Sequence, residues 1–368
     1  MPKNYTVTLP HYSVGPSCYD ELGQVTRFYG RTAAVVGGET ALAKAGPALK
    51  AGFEKAGVKL TEWTVYGKDS TNANVEKIVN NPKVQEADLL FGVGGGRAID
   101  TVKTAADILG KPFFSVPTVS SNCAPVSAIA VIYKDDGALD HYHFPKRCPE
   151  HCFIDTTVIL DSPEELFWAG IGDALSKQAE SQLASRGAEL THTPLLGVQV
   201  GLVCEDPLLE YGKQAIEDFR AKRDSHAFTE TVLDIIVSTG ITSNLTTKDS
   251  YYYNSSLAHC FYNASMVLPS IHKHLHGEVV SFGTLVLHAV DEDDVALERL
   301  MTFNHSVGLP VTLAQLDITT PEQVNALVDR AATMKEWTCV PYEMTKDKFR
   351  NGIYKVDELG RKFVAKQS

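Results

Sequence analysis

No apolar run in this chain approaches the roughly 18 residues that a membrane-spanning helix needs, so none is expected. The opening residues, MPKNYTVTLPHYSVGP, carry no apolar stretch ahead of a small-residue cleavage site, and no secretory leader is expected there. Positive charge is short: 34 lysines and arginines stand against 45 acidic residues, a net charge of −11 over 368 residues. That balance excludes nucleic acid and anionic membrane surfaces as natural partners, since both would repel the protein. Seven cysteines, odd in number and scattered, do not make a disulfide framework and fit reduced thiols in the cytoplasm. The cluster Cys148-Pro-Glu-His151-Cys152 has no second half-site nearby and reads as a loop, not as a zinc site. Low-complexity linkers and internal repeats are also missing, so two closely packed domains with a cleft between them are expected.

What the chain does have is a glycine-rich turn. The apolar run Leu89-Leu90-Phe91 reads as a buried strand that breaks into Gly92-Val93-Gly94-Gly95-Gly96. A helical pattern follows, with Ala98/Ile99, Val102, Ala105/Ala106 and Leu109 at three-to-four spacing, and Gly110 is a stop signal. Pro112 to Val116 reads as the next buried strand. Three successive glycines let backbone N–H groups approach a phosphate at the positive end of a helix. The pattern is not G-x-G-x-x-G, because Arg97 takes the last glycine's place, and a plain tight turn in a parallel sheet is the competing reading.

Residues 31 to 110 alternate strand and helix. Thr32 to Val36 is a strand ending in Gly37-Gly38-Glu39; Pro47 is placed in the first turn of the next helix, which Gly57 ends. Leu60 to Tyr66 is a strand, and Ser70-Thr71-Asn72 starts another helix. Such alternation implies a mostly parallel sheet that binds ligands beyond its strands' carboxyl ends, where both glycine turns fall. Ala128 to Tyr133 and Phe153 to Ile159 read as strands, with a hairpin signal at Lys134-Asp135-Asp136-Gly137. Ser162-Pro163-Glu164-Glu165 is a capping box, as is Thr320-Pro321-Glu322-Gln323, and nearly everything after residue 162 is helical in period. The expected domains are therefore 1–162, an α/β Rossmann-like unit, and 163–368, an all-α unit.

Three places in the helical half put polar groups into apolar surroundings. In GIGDALSKQAE, Asp173, Lys177 and Glu180 share a helix face, which suits either a site or a solvated face, with Asp173 alternatively an N-cap. His259 lies in the small, apolar LAHCFYNA, where a core histidine is the plainer reading. His272, His274 and His276 crowd the run HKHLHGE, where solvent exposure competes with function. One carboxylate and two imidazoles suit a divalent cation with an open position, zinc or Fe²⁺, although these separations make no local motif.

Taken together these segments resemble the iron-containing alcohol dehydrogenase superfamily and its glycerol dehydrogenase-like branch, over nearly the whole chain. GVGGGRAIDTVK resembles the family's glycine turn, VPTVSSNCAPVSAIAVIY its loop and hairpin over the nicotinamide, GIGDALSK its metal-ligand segment, and LAHCFYNA with HKHLHGEVVSFGTLV its paired histidine segments. The resemblance implies the dehydroquinate synthase-like / iron-containing alcohol dehydrogenase fold, NAD as cofactor, a small-molecule substrate and a homo-oligomer. It also implies a metal, zinc ahead of iron, on Asp173, His259 and His276. It assigns Gly37, Glu39, Gly94, Gly95, Gly96 and Asp100 to the cofactor, with Thr118, Ser121, Ser127 and Tyr133 on the nicotinamide side and Lys103 on the same helix. Tyr262 stands where glycerol dehydrogenases carry another histidine, and His274 becomes a neighbour of the site. Glu39 suits the ribose of NAD, since a carboxylate accepts from a 2′-hydroxyl and repels a 2′-phosphate; a helix-start role competes.

One departure bears on substrate. Where glycerol dehydrogenases have S-T-D-A-P, this chain has Ser121-Asn122-Cys123-Ala124-Pro125. A thiol is a poor acceptor for a polyol hydroxyl, and loss of the carboxylate removes repulsion against an anionic substrate. Cys123 thereby resembles the hydroxycarboxylate dehydrogenases of the branch. The expected reaction interconverts a 2-hydroxy acid and a 2-oxo acid. Glycerol or another vicinal diol is the alternative, and a dehydroquinate-synthase-like cyclization without net redox is a third. His272, Tyr142 and His143 are candidates for moving the proton.

Overall fold

A computed structural model describes residues 5–367. The chain divides into two compact units, one holding the residues up to Pro163 together with Ala221–Val232, the other Glu164–Arg220 and the residues from Leu233 onward. A single boundary at 162 assigns Ala221–Val232 to the helical half, whereas the structure groups it with the first unit. Thr156 Oγ1 donates to Asp224 Oδ2 at 2.6 Å, and Lys222 Nζ donates to the Leu160 carbonyl.

The first unit contains strands β1 (His11–Val14), β2 (Thr32–Gly37), β3 (Lys59–Val65), β4 (Leu89–Gly94), β5 (Phe113–Pro117), β6 (Ala130–Tyr133), β7 (Leu139–His143) and β8 (His151–Ile154). Six of them form one sheet in the order β1-β8-β5-β4-β2-β3. Every pair in it is parallel, while β6 and β7 form a separate antiparallel hairpin. Successive side chains alternate between faces. Ala33, Val35, Phe91 and Phe114 enter one core, and Ala34, Val36, Leu90 and Phe113 enter the other. Helix α1 (Glu39–Ala56) covers the first face with Leu42, Leu49 and Phe53; α2 (Asn72–Val79) and α3 (Gly96–Leu109) cover the second with Val75, Ile78, Ile99 and Val102. Both faces are buried, so the strands read as continuous apolar runs.

Local signals account for most boundaries. Gly57 and Gly110 cap α1 and α3 in the left-handed conformation, at φ 66° and 64°. Thr71 accepts from the Asn74 amide at the start of α2. Three details differ from the sequence reading. Pro47 lies inside α1, because the helix already begins at Glu39 after the extended Gly38. The proline withholds an N–H from the carbonyl of Ala43, at a position where both residues are exposed to solvent. The last strand of the unit ends at Ile154, not Ile159, because Asp155 accepts from the Thr157 and Val158 amides and starts a new helix. At residue 162 the capping box does not form: Ser162 Oγ is buried without a hydrogen bond. The box at Thr320 does form, with Gln323 accepting from the Thr320 amide at 3.0 Å.

The second unit is helical apart from a short hairpin of Thr247–Lys248 with Tyr251–Tyr252. Four of its helices matter below: α4 (Glu164–Ala174), α5 (Ser176–Ser185), α6 (Leu257–Ser265) and α7 (His276–Val290). From Val279 to Val290 α7 is buried on every side, the mark of a central core helix. Among the described residues no helix is long and apolar enough to cross a membrane.

Asp100 and Lys103 form a buried ion pair at 3.0 Å between α3 and the strand β6. The second Asp100 oxygen accepts from the Val131 amide at 3.0 Å, and Lys103 Nζ donates to the Ile129 carbonyl at 2.6 Å. Removing one partner of such a pair leaves a buried charge unpaired. Lys103→Met is expected to cost about 3 kcal/mol of folding stability in urea denaturation. A loss below about 1 kcal/mol would show that the pair does not fasten the hairpin to α3.

Candidate functional site

In the first unit the sheet reverses its order between β2 and β4: β3 lies beyond β2 on one side, and β5 then β8 beyond β4 on the other. Ligands of open parallel sheets bind at such a reversal, outside the carboxyl ends of the strands. Both glycine turns stand there. The Gly38 amide donates to the Val93 carbonyl at 3.1 Å, and the Thr118 amide to that of Gly94 at 3.2 Å. Gly94 has φ 148°, and a Cβ on it would lie 2.8 Å from that of Ala98. The turn is thus shaped by missing side chains, and Gly95 and Gly96 open the 14-residue helix α3 with its N–H groups outward. Glu39 is exposed at the start of α1, one strand away. Thr118 is buried and Ser121 half-buried in the turn after β5, where Cys123 accepts from the Val126 and Ser127 amides through its carbonyl. Tyr133 on β6 lies under the Arg97 guanidinium, 5.5 Å from the ring centre. Asp100 is buried, with one oxygen on Lys103 and the other on the Val131 amide, and in this structure it braces the hairpin.

In the second unit Asp173, His259 and His276 converge, each offering one ligand atom, all within 4.8 Å of one another. Asp173 Oδ1 lies 3.0 Å from His276 Nε2 and 3.5 Å from His259 Nε2. Their alignment falls short of hydrogen bonding, so Oδ1 is buried without a donor. Missing side chains again allow the approach. A Cβ on Gly277 would come 1.8 Å from the Ala169 carbonyl oxygen, which only a glycine avoids, and α7 thereby crosses α4 backbone to backbone beside Asp173. Gly283 does the same against the Ala258 carbonyl of α6, next to His259.

Glu180 completes the centre. It is fully buried, with Oε2 2.6 Å from His259 Nδ1 and Oε1 accepting from the amides of Ser256 at 2.7 Å and His259 at 2.9 Å. A carboxylate on Nδ1 keeps a ring proton there, so Nε2, which faces Asp173, is the nitrogen that gives up its proton to a metal. Tyr262 packs edge-on against His276 at 4.2 Å between ring centres and fixes its plane. Lys177, which the solvated-face reading put in water, is buried on Asn254. The sequence carried Glu180's place at i+7 from Asp173, but not its burial.

The other histidines serve elsewhere. His272 is exposed and bonded to the Met266 carbonyl at 3.2 Å, outside the cluster. His274 is held between Glu278 and Asp317, 2.9 Å from each. His143 pairs with Asp107 at 3.0 Å, and Tyr142 is exposed on the hairpin. In the Cys148–Cys152 segment His151 Nε2 bonds Ser13 at 2.8 Å, and no metal cluster forms there among the described residues.

The donors fit a divalent cation: two imidazoles, one carboxylate, a buried oxygen without a donor and a bonded outer carboxylate. Burial disfavours charge on both Asp173 and His259, yet each partner outweighs it. The two imidazoles hold Asp173 far below the usual carboxylate range, and Glu180 with Asp173 holds His259 up at about 10.

The family model described as Iron-containing alcohol dehydrogenase matches residues 10–156. Glycerol dehydrogenase of Thermotoga maritima is 31% identical over 279 residues, 74% of this chain and 74% of its own length. Hydroxycarboxylate dehydrogenase A of Escherichia coli is 31% identical over 278 residues, 74% of this chain and 76% of its own. The crystal structure of a probable glycerol dehydrogenase from Sinorhizobium meliloti superimposes with a TM-score of 0.82 at 26% identity, covering 98% of this chain and 99% of that one. These likenesses define an oxidoreductase of the alcohol dehydrogenase class. The chain belongs to the iron-containing alcohol dehydrogenase family, in its glycerol dehydrogenase-like branch.

Two expectations follow for the metal-free protein. His259 has a raised folded pKa, so its stabilising contribution is complete below 6.5 and is lost as pH rises to about 10. A metal must displace that proton, so zinc affinity is expected to climb over the same window while thermal stability of the metal-free form declines. Flat zinc affinity between pH 6.5 and 9 would contradict the raised value. Gly277→Ala is expected to weaken zinc binding about 10-fold or more by prising α7 from α4, read by competition with a chromophoric chelator.

Proposed function

We propose that the protein is an NAD-dependent, metal-assisted dehydrogenase that interconverts a small 2-hydroxy acid and its 2-oxo acid. The observation that carries the reading is the convergence of Asp173, His259 and His276 around a buried carboxylate oxygen without a donor. A bound divalent cation, zinc or Fe²⁺, supplies Lewis acidity that eases loss of a hydroxyl proton or polarises a carbonyl, and NAD supplies the hydride acceptor.

The chain's own groups set the rest. Asp173 and the two Nε2 atoms hold the cation, and Glu180 keeps the proton of His259 on Nδ1. The amides of the Gly94–Gly96 turn and the positive end of α3 take the pyrophosphate. Exposed Glu39 receives the adenosine ribose and repels a 2′-phosphate, which favours NAD over NADP. No disulfide joins the seven cysteines, all among the described residues, which fits the reducing cytoplasm, and a homo-oligomer is the assembly we expect from the family.

Two features favour an acid substrate. Cys123 is half-buried in the turn and brings no carboxylate. Around the metal centre, with both imidazoles neutral as ligands, Asp173 and buried Glu180 against buried Lys177 leave one net negative charge, which a divalent cation would turn to one positive and a monoanionic substrate would neutralise. A glycerol-type diol is the second reading, favoured by the relative from Thermotoga maritima.

The test is NADH consumption by zinc-reconstituted protein with 2-oxo acids, 2-oxo aldehydes and dihydroxyacetone at one pH. Fastest turnover with a 2-oxo acid is expected, and Cys123→Asp should move preference toward dihydroxyacetone by about 10-fold or more. Preference of the unaltered enzyme for dihydroxyacetone would reassign the substrate. His276→Ala should abolish both zinc binding and turnover; full activity with metal still bound would overturn the centre, and no NADH consumption at all would favour cyclization without net redox.

A further inference from the structure

Beyond the ligands, α5 grips the start of α6 at two points. Glu180 Oε1 takes the amides of Ser256 and His259, donors that a helix N-terminus otherwise leaves without partners. Ser256 does not cap its own helix, because its Oγ donates to the Cys339 carbonyl at 2.6 Å. The cap and the bond that orients His259 therefore depend on one buried carboxylate. Three residues before it, on the same face, Lys177 donates from Nζ to Asn254 Oδ1 at 2.8 Å and to the Asn254 carbonyl at 3.1 Å. Both Lys177 and Asn254 are buried. A buried ammonium bonded only to an amide is costly unless something else gains from it. Here the gain is the placement of Asn254, two residues ahead of Ser256, together with a positive charge one turn from Glu180.

We propose that Lys177 is a positioning residue for the metal centre: by pinning Asn254 and accompanying Glu180, it fixes the His259 imidazole where its Nε2 meets the cation. The proposal rests on Asp173, His259 and His276 being the metal ligands. It makes a prediction opposite to that of charge alone. If Lys177 acted only as a nearby positive charge, removing it would strengthen the binding of a divalent cation. If it positions His259, removing it weakens that binding.

The experiment is zinc titration of metal-stripped, full-length protein against a chromophoric chelator, for the unaltered enzyme, Lys177→Met, Asn254→Ala and the double variant. A visible spectrum of each Co²⁺-loaded form reports the ligand geometry. Expected are about 10-fold or greater losses of zinc affinity in both single variants, a changed Co²⁺ spectrum, and a double variant no worse than the weaker single one. Unchanged or tighter zinc binding by Lys177→Met, with the unaltered enzyme binding zinc, overturns the positioning role and leaves the centre intact. Failure of the unaltered enzyme to bind zinc overturns the centre itself. Should Lys177→Met not fold, Asn254→Ala decides the same question, since it removes the Oδ1 partner of Nζ and keeps the charge.

Discussion

Asp173 Oδ1 is a buried carboxylate oxygen without a hydrogen-bond donor, facing two imidazole nitrogens at 3.0 and 3.5 Å. Much of the helical unit follows from accommodating it. A buried anion needs a cation, and the chain supplies none by hydrogen bond at that atom. It offers instead two neutral-capable nitrogens and a helix crossing so close that Gly277 admits no side chain. Glycine within helices costs conformational stability; here it permits the close crossing that brings Asp173, His259 and His276, on three helices, within 4.8 Å of one another.

The sheet of the first unit meets a different constraint with the same means. Its strand order reverses at β2 and β4, so both strands end beside open space, and both end in glycine. A Cβ on Gly37 would lie 2.4 Å from the Val93 carbonyl oxygen and one on Gly94 2.8 Å from the Cβ of Ala98, so the close approach of the two turns depends on both glycines. In each unit a buried acid and a buried lysine on one helix brace a neighbouring segment. The Asp100–Lys103 pair ties α3 to β6, while Glu180 and Lys177 tie α5 to the start of α6. In both units an acid and a lysine three residues apart on one helix hold a neighbouring segment by its backbone.

The sequence made the architecture readable because local signals and global fold agree there. The alternating apolar runs, the left-handed caps at Gly57 and Gly110 and the glycine turn each act within a few residues. The centre was readable only through likeness to a family, because Asp173, His259 and His276 are far apart in the chain and no spacing announces that they meet. Glu180 and Lys177 escaped for a related reason. On a helix wheel they look like a solvated stripe, and only the packing of α6 against α5 turns that stripe inward. Pro47 misled in the other direction, since its preference for a first turn was outweighed by a helix already started at Glu39. Ser162 carried a capping signature whose hydroxyl the surrounding packing left unused.

Substrate is the hardest property to read from any of this, and the reason is physical. A likeness of 31% to a glycerol dehydrogenase and 31% to a hydroxycarboxylate dehydrogenase measures the shared scaffold, on which the two chemistries differ little. Discrimination between a neutral polyol and a carboxylate anion rests on a few groups. A site built to bond a hydroxyl loses several orders of selectivity when its acceptor is gone, whereas an added methylene changes it little. On the function proposed above, Cys123 is such a change: compared with the aspartate of the motif it resembles, it brings one acceptor and one negative charge fewer to the turn that follows β5. On that proposal a single residue weighs more on the choice of substrate than the identities counted along the rest of the chain.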